Sequence, residues 1–261
     1  MNIAVIGTGY VGLVTGACFS EFGVHVTCVD NDEEKIKTLN RGQIPIYEAG
    51  LEELVARNVK GGRLQFSSDA EAAINQALVV FIAVGAPEAP DGSTDLRYIE
   101  AVAREIGQRM TSYKVIVAKS TVPVGTSDRV RVCIDEELAR RGKNISYSLA
   151  SNPEFLREGA AIGDFMRPDR VVVGVENEQA QQILEDIYRP LNLRETPIVV
   201  TTLESAEVIK YAANAFLATK ITFINEIADL CEKVGGDVQA VANGMGSDNR
   251  IGGKSLHAGP G

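Results

Sequence analysis

Three sets of residues in this chain combine side-chain types and spacing that suit chemistry. A glycine turn followed by an acid is suited to binding a dinucleotide. A pair of glutamates is suited to positioning a water or relaying a proton, and a lysine with an asparagine is suited to stabilising a developing oxyanion. The sets are Gly7-Thr8-Gly9-Tyr10-Val11-Gly12 with Asp30, Glu154 with Glu158, and Lys210 with Asn214.

The glycine turn lies in the sequence context that a dinucleotide site requires. An apolar run over residues 2–6 precedes it, a helical stretch over 13–22 follows it, and a short strand over 26–29 ends at Asp30. The order of strand, glycine turn, helix, strand and acid is typical of dinucleotide-binding units. The alternative is a glycine-rich turn in an α/β domain that binds no nucleotide.

Each residue of this pattern has a predicted physical role. Gly7 permits the tight turn, Gly9 lets the backbone approach a pyrophosphate, and Gly12 lets the helix pack against the strand. The phosphates then lie at the helix N-terminus, where free N–H groups and the helix dipole favour an anion. Asp30 would accept hydrogen bonds from the adenosine ribose and repel a 2′-phosphate, so we predict NAD rather than NADP.

The lysine–asparagine pair falls on a predicted long helix. Residues 205–233 contain no Gly or Pro, with Ser205 or a near neighbour as the N-cap and Gly235-Gly236 as the stop. Lys210 and Asn214 are four residues apart and so share a helix face. The apolar residues on either side of Lys210 indicate a mostly buried helix, although a solvated surface charge is the alternative.

The two glutamates follow a predicted strand over residues 147–150. Pro153 is typical of a first helical turn, so we predict that Glu154 and Glu158 lie on one face of a short helix. The alternative is a solvated helix face on which both acids pair with Arg157, and spacing alone favours that alternative.

The rest of the chain alternates strands and helices, which predicts a Rossmann-like, doubly wound, mostly parallel α/β sheet. The long helix and a short helical segment follow it. Ligands of such sheets bind beyond the carboxyl ends of the strands. Further strands are predicted at 64–67, 78–84, 115–118, 170–175 and 198–201, and helices at 96–110, 127–141 and 178–188.

Composition narrows the class of protein. The 261 residues are 45% hydrophobic and carry a formal net charge of −9, which argues against a nucleic-acid or membrane surface. No apolar run is long enough to span a bilayer and no secretory signal precedes the first strand, so we expect a cytoplasmic protein. The cysteines lack metal-ligand spacing, so we expect no metal and four buried thiols: Cys18, Cys28, Cys133 and Cys231.

Several motifs closely resemble those of the UDP-glucose/GDP-mannose dehydrogenase family, and within it the UDP-glucose 6-dehydrogenases. The motifs are residues 7–12, KSTVPVGT from Lys119, NPEFLREG from Asn152, and residues 207–214 and 247–261. The resemblance implies NAD-dependent oxidation of the CH₂OH group of UDP-glucose to a carboxylate. Two hydride transfers and a thioester on a catalytic cysteine are implied in that reaction.

The resemblance also implies roles for individual residues. The catalytic residues would be Thr121, Glu154, Glu158, Lys210 and Asn214. The NAD-binding residues would be Gly7, Gly9, Tyr10, Val11, Gly12, Asp30, Lys35, Gly85, Thr121 and Glu158. The nucleotide sugar would contact Glu154, Phe155, Leu156, Arg157, Lys210, Asn214 and, from a neighbouring subunit, Arg250.

The resemblance further implies the domain organisation and the assembly. We expect an NAD-binding domain over residues 1–203, the start of a central domain over 204–261, and a homodimer through the helix 205–233. The family's catalytic cysteine and UDP-binding domain follow the segment that ends here at Gly261. We therefore expect this chain by itself to bind NAD without turnover.

One position departs from the family and two other functions stay open. Ala86 replaces the family's threonine in Val84-Gly85-Ala86-Pro87, which removes a hydroxyl contact worth about 1 kcal/mol. The first alternative is a related dehydrogenase of GDP-mannose or a UDP-N-acetyl sugar. The second is a non-catalytic NAD-binding sensor module.

Overall fold

The computed structural model describes residues 1–192 and 195–259, which form strands alternating with helices. The strands are β1 (Asn2–Ile6), β2 (His25–Val29), β3 (Leu64–Ser67), β4 (Val79–Ile82), β5 (Lys114–Ala118), β6 (Tyr147–Ser151), β7 (Val171–Val175) and β8 (Ile198–Thr201). The helices are α1 (Tyr10–Glu21), α2 (Glu33–Asn40), α3 (Leu51–Lys60), α4 (Ala70–Gln76), α5 (Arg97–Arg109), α6 (Thr126–Arg140), α7 (Ala161–Met166), α8 (Glu178–Asn192), α9 (Leu203–Val234) and α10 (Val238–Gly246).

The chain divides into two units, Met1–Val208 and Ile209–Gly261, with the boundary inside α9. The first unit contains one sheet in the order β3-β2-β1-β4-β5-β6-β7-β8. Strands β1 to β6 are parallel to one another, so the prediction of a doubly wound, mostly parallel sheet is confirmed. The strand order reverses between β1 and β4, and this is the switch point at which such sheets bind ligands.

Strand β7 is antiparallel to β6 and pairs with it over two positions only. Ala150 lies opposite Val175, and Ser151 lies opposite Gly174. The β7–β8 pair therefore extends past the carboxyl end of β6, and α9 begins at this edge. A side chain at Gly174 would place its Cβ 2.6 Å from the Thr202 carbonyl oxygen, so glycine is required where α9 starts.

Apolar residues cover both faces of the central strands of the sheet. On one face Phe19 of α1 is fully buried, and its ring centroid lies 5.0 Å from Phe81, 5.2 Å from Phe165 and 5.4 Å from Tyr188. The other face is covered by α5 and α6, where Ile106 and Ile134 are fully buried. Two covered faces explain the near-continuous apolar strands, as expected of a parallel sheet.

Helix α9 is continuous, as its sequence predicts, and begins two residues before Ser205. Thr202 is its N-cap, because its hydroxyl accepts a hydrogen bond from the Ser205 N–H at 3.2 Å. The prediction that this helix is mostly buried is wrong. Phe216 is 64% exposed and Leu230 is 52% exposed in the single chain. The prediction failed because apolar neighbours in the sequence indicate the composition of a helix and not which elements pack against it.

All four cysteines are buried free thiols, as predicted. Burial is the largest influence on Cys18 and raises its pKa to about 12. In the part of the chain that the structure describes, no helix combines the length and apolar character needed to cross a membrane.

Candidate functional site

The glycine turn connects β1 to α1 under tight steric limits. Gly7 has φ +104°, and a Cβ there would lie 2.8 Å from the Ala83 carbonyl oxygen. A Cβ on Gly12 would lie 1.9 Å from the Gly7 carbonyl oxygen. Gly9 differs from both, because a Cβ there would meet nothing within 4 Å. Gly9 therefore leaves the backbone open to a ligand, which is what the approach of a pyrophosphate requires.

The N-terminus of α1 is suited to an anion. Gly9 is its N-cap, and among the described residues no side chain caps the helix and no acid lies in its first turn. The free N–H groups and the helix dipole together favour a phosphate. The open space at Gly9 and these free donors fit the pyrophosphate of a dinucleotide.

Asp30 follows β2 and is held by its neighbours. One carboxylate oxygen accepts hydrogen bonds from the Thr8 N–H at 2.9 Å, the Thr8 hydroxyl at 2.6 Å and the Lys35 ammonium group at 3.0 Å. The other accepts a hydrogen bond from the Asp32 N–H at 3.2 Å. Burial acts to raise the pKa of Asp30, but these donors outweigh it and lower the pKa to about 2. The carboxylate is therefore ionised at neutral pH.

The loop that carries Thr121 is connected to the loop that carries Gly85. The Ser120 hydroxyl donates a hydrogen bond to the Val84 carbonyl oxygen at 2.6 Å. Both loops follow adjacent parallel strands, β4 and β5, so they meet at one edge of the sheet. Gly85 and Thr121, two predicted cofactor residues, thus lie on connected loops beside the switch point.

A buried carboxylate on α9 fixes the far end of the Thr121 loop. Glu207 accepts hydrogen bonds from the Gly125 N–H at 2.7 Å, the Ser127 N–H at 3.1 Å and the Ser127 hydroxyl at 2.7 Å. It therefore caps the N-terminus of α6, which starts at Thr126. The sequence placed Glu207 in a motif without assigning it a role.

A second buried network connects the Thr121 loop to the loop after β6. The Lys119 ammonium group lies 3.1 Å from Oδ1 of Asn152, and that oxygen also accepts a hydrogen bond from the Tyr188 hydroxyl at 2.5 Å. The Asn152 amide donates to the Val172 carbonyl oxygen at 2.8 Å. Asn152 thereby fixes the direction in which the chain leaves β6 toward Glu154.

The predicted short helix that would carry both glutamates is wrong. Residues 152–157 form a loop, a turn follows, and α7 begins only at Ala161. Glu154 accepts a hydrogen bond from the Leu156 N–H at 2.6 Å, which closes a tight local turn in place of a helical one. Gly159 has φ +82°, which a helix does not allow. Glu154 and Glu158 therefore do not share a helix face.

The arginine of this loop does not pair the two glutamates. Arg157 binds Asp164 of α7 at 2.6 Å, so the alternative in which it neutralises both acids is also wrong. The Arg157 guanidinium lowers the pKa of Asp164. Beside it, the Arg170 guanidinium lies 3.9 Å from the centroid of the Phe155 ring. The predicted substrate-contacting segment is thus held at both Phe155 and Arg157.

Glu48 is a site neighbour that the sequence did not reveal. It is 6% exposed and accepts hydrogen bonds from the Gly159 N–H at 2.9 Å, the Ala161 N–H at 2.9 Å and the Tyr10 hydroxyl. These donors come from distant segments of the chain. No spacing or periodicity around Glu48 marks such a contact.

The remaining predicted residues belong to the second unit. Lys210 is buried and Asn214, one turn later on α9, is exposed. Arg250 is 89% exposed and binds Asp248 at 2.6 Å. Their convergence with Thr121, Glu154 and Glu158 stays a prediction. Pro260 and Gly261, at the end of the last motif, lie outside the described residues.

Within this unit Asn225 holds the backbone of Gly259. Its amide donates to the Gly259 carbonyl oxygen at 3.0 Å and accepts from the Gly259 N–H at 2.8 Å. Residues 1–192 and 195–259 contain no group of three or more His, Cys, Asp or Glu side chains that could hold a metal ion.

The doubly wound sheet, the glycine turn and the acid after β2 define a nucleotide-binding domain of the Rossmann class. Residues 1–192 match the model of the UDP-glucose/GDP-mannose dehydrogenase family, NAD binding domain, and residues 204–261 match that family's central domain. The chain belongs to the UDP-glucose/GDP-mannose dehydrogenase family.

Curated relatives align over the whole chain. It is 56% identical to a UDP-glucose 6-dehydrogenase of Rhizobium meliloti and 53% identical to the UDP-glucose 6-dehydrogenase TuaD of Bacillus subtilis. These alignments cover 100% of this chain but 60% and 55% of the relatives. The chain thus spans little more than half the length of the proteins that it matches.

Solved structures share its fold. A UDP-glucose dehydrogenase from Pyrobaculum islandicum superposes with a TM-score of 0.94 at 42% identity, over 99% of this chain and 59% of that one. A GDP-mannose dehydrogenase from Pseudomonas aeruginosa gives a TM-score of 0.89 at 38% identity, over 98% and 58%. A UDP-glucose dehydrogenase and a GDP-mannose dehydrogenase therefore share the fold of this chain.

Proposed function

We propose that the protein oxidises UDP-glucose to UDP-glucuronate with NAD⁺ and that this chain supplies its cofactor-binding portion. The observation that carries the proposal is the open, uncapped N-terminus of α1 at Gly9, with the ionised Asp30 at the end of the adjacent strand. These features suit the pyrophosphate and the adenosine ribose of one dinucleotide. The names of the relatives support UDP-glucose as the substrate.

We propose the following arrangement of the bound cofactor. Asp30 accepts hydrogen bonds from the adenosine ribose hydroxyls, with Lys35 beside it. The backbone of Gly9 to Val11 cradles the pyrophosphate, and the loops carrying Gly85 and Thr121 cover the nicotinamide half beyond the switch point. When bound, NAD⁺ supplies the hydride acceptor, and the four-electron oxidation of CH₂OH to a carboxylate consumes two NAD⁺ in turn and one water.

The remaining residues act on the nucleotide sugar in this proposal. Thr121 and Glu158 position the water molecule that hydrolyses the thioester intermediate, and Glu154 is a supporting acid. Lys210 and Asn214 stabilise the oxyanions that form during oxidation and hydrolysis, because an ammonium group and an amide N–H group donate hydrogen bonds to a developing negative charge. Residues 154–157 and Arg250 hold the substrate.

The proposal includes a domain division and a homodimer. The NAD-binding domain comprises residues 1–203, and 204–261 begin the central domain. Phe216, Phe223 and Leu230 lie seven residues apart on α9 and are 64%, 46% and 52% exposed. Residues seven apart share a helix face, so an isologous pairing of two α9 helices would cover this apolar stripe.

Two measurements test the function. Calorimetric titration of the chain should show NAD⁺ binding and at least about tenfold weaker NADP⁺ binding, with the preference lost in D30A. The natural protein should then form NADH from NAD⁺ and UDP-glucose, followed by absorbance. Equal affinity for NAD⁺ and NADP⁺ would overturn the cofactor assignment. Faster turnover of GDP-mannose or a UDP-N-acetyl sugar than of UDP-glucose would overturn the substrate assignment.

A further inference from the structure

We propose that Glu48 is a positioning residue that connects the glycine turn to the backbone just after Glu158 and thereby sets the affinity for the nicotinamide half of the dinucleotide. This inference rests on the proposed function, since it concerns how NAD is held. Glu48 belongs to neither the glycine turn nor the loop after β6. Its carboxylate joins the two.

The contacts of Glu48 use both of its carboxylate oxygens. Oε2 accepts hydrogen bonds from the Gly159 N–H at 2.9 Å and from the Tyr10 hydroxyl, and Oε1 accepts one from the Ala161 N–H at 2.9 Å. Tyr10 is the first residue of α1, immediately after Gly9. One buried carboxylate therefore bridges the start of α1 and the turn that follows Glu158.

The donors around Glu48 are fixed in their roles. A backbone N–H can only donate, and burial followed by the Glu48 hydrogen bond raises the pKa of Tyr10, so its hydroxyl stays protonated. Gly159 has φ +82°, a conformation that suits glycine. The backbone just after Glu158 is thus held both by its own turn and by Glu48.

The place of this turn along the sheet determines which half of the cofactor it affects. Asp30 follows β2, on one side of the switch point between β1 and β4, whereas residues 152–161 follow β6, on the other side. A dinucleotide lies across the switch point. With the adenosine at Asp30, the nicotinamide lies on the side of Glu158, so an error in the position of Glu158 affects that half alone.

The test compares NAD⁺ with ADP-ribose, which is the same molecule without nicotinamide. In E48Q the side-chain amide accepts at only one of its two positions, so at least one backbone N–H loses its partner. We expect E48Q to weaken NAD⁺ binding about threefold to tenfold and ADP-ribose binding less than about twofold, by calorimetry on the chain. Y10F, which removes a single donor, should give a smaller loss in the same direction.

The controls separate positioning from folding and from the proposed function. D30A should weaken both ligands equally, because Asp30 faces the adenosine half that they share. The inference would be overturned if E48Q and Y10F lost equal affinity for both ligands, or if neither variant lost affinity. In either case NAD⁺ binding by the wild-type chain would still uphold the function. If E48Q does not fold by circular dichroism, Y10F alone decides. Failure of the wild-type chain to bind either ligand would overturn the function and this inference with it.

Discussion

Asp30 and Thr8 are joined by two hydrogen bonds, one from the Thr8 N–H at 2.9 Å and one from its hydroxyl at 2.6 Å. Thr8 lies between two glycines of the turn, so these bonds connect the proposed pyrophosphate site to the proposed ribose site. These contacts within the chain hold the acid in place. Preorganisation of this kind lowers the cost of binding.

The depressed pKa of Asp30 predicts how stability depends on pH. Because its pKa is about 2 in the folded chain against 3.8 for an ordinary aspartate, the ionised group stabilises the fold at pH values above the unfolded pKa. That contribution, about 2 kcal/mol, is lost as the pH falls from about 4 through 2. The free energies of unfolding of the wild type and D30N, measured in urea, should differ, and this difference should shrink below about pH 4. A difference that is independent of pH would contradict this account.

The two glycines at the start of α1 should respond differently to alanine. A Cβ at Gly12 would lie 1.9 Å from the Gly7 carbonyl oxygen, so G12A should destabilise the fold by about 3 kcal/mol. At Gly9 the space is open and φ is −70°, so the free energy of unfolding of G9A should lie within about 1 kcal/mol of the wild-type value. G9A should nonetheless bind NAD⁺ about tenfold more weakly, because the new methyl group lies where the pyrophosphate approaches. Thermal unfolding measures the stability of both variants, and calorimetry measures their NAD⁺ binding. Normal NAD⁺ binding by G9A would argue against the site.

Removal of the Glu207 carboxylate should destabilise the Thr121 loop and the start of α6. E207A leaves the N–H groups of Gly125 and Ser127 without their acceptor, which we expect to cost about 2–4 kcal/mol. The matched control is E204A, one turn earlier on α9, where the side chain is exposed and the cost should stay under about 1 kcal/mol. Urea unfolding measures both variants. Equal costs would show that the Glu207 contacts contribute little.

The proposed dimer makes a prediction about one apolar position of α9. F223D places a charge in the stripe of Phe216, Phe223 and Leu230, and should raise the dimer dissociation constant about thirtyfold or more. T222D introduces the same charge on the neighbouring face of the helix and should leave the dissociation constant within about threefold of the wild type. Sedimentation velocity at several concentrations measures both. Wild-type chain that stays monomeric at high concentration would count against pairing through α9.

Local sequence determined the sheet domain. The apolar strands, the glycine turn and the break-free run of α9 appear in the structure with bounds close to those predicted, since each element follows from periodicity and from local glycine and proline chemistry. The roles of Gly7, Gly9, Gly12 and Asp30 were also predicted from their spacing in the sequence. The contacts that constrain Gly7 and Asp30, with Ala83 and Thr8, come from other segments of the chain.

Tertiary structure alone decided the conformation and environment of the acids. Glu154 and Glu158 have helical spacing, but a hydrogen bond within the loop, the left-handed Gly159 and the distant Glu48 favour a turn. Glu207 resembles any helical glutamate until Gly125 and Ser127 are seen to donate to it. The exposure of α9 likewise depends on what packs against it. Such outcomes depend on which distant groups meet, and hydrogen-bond partners far apart in the chain leave no periodic signal in sequence.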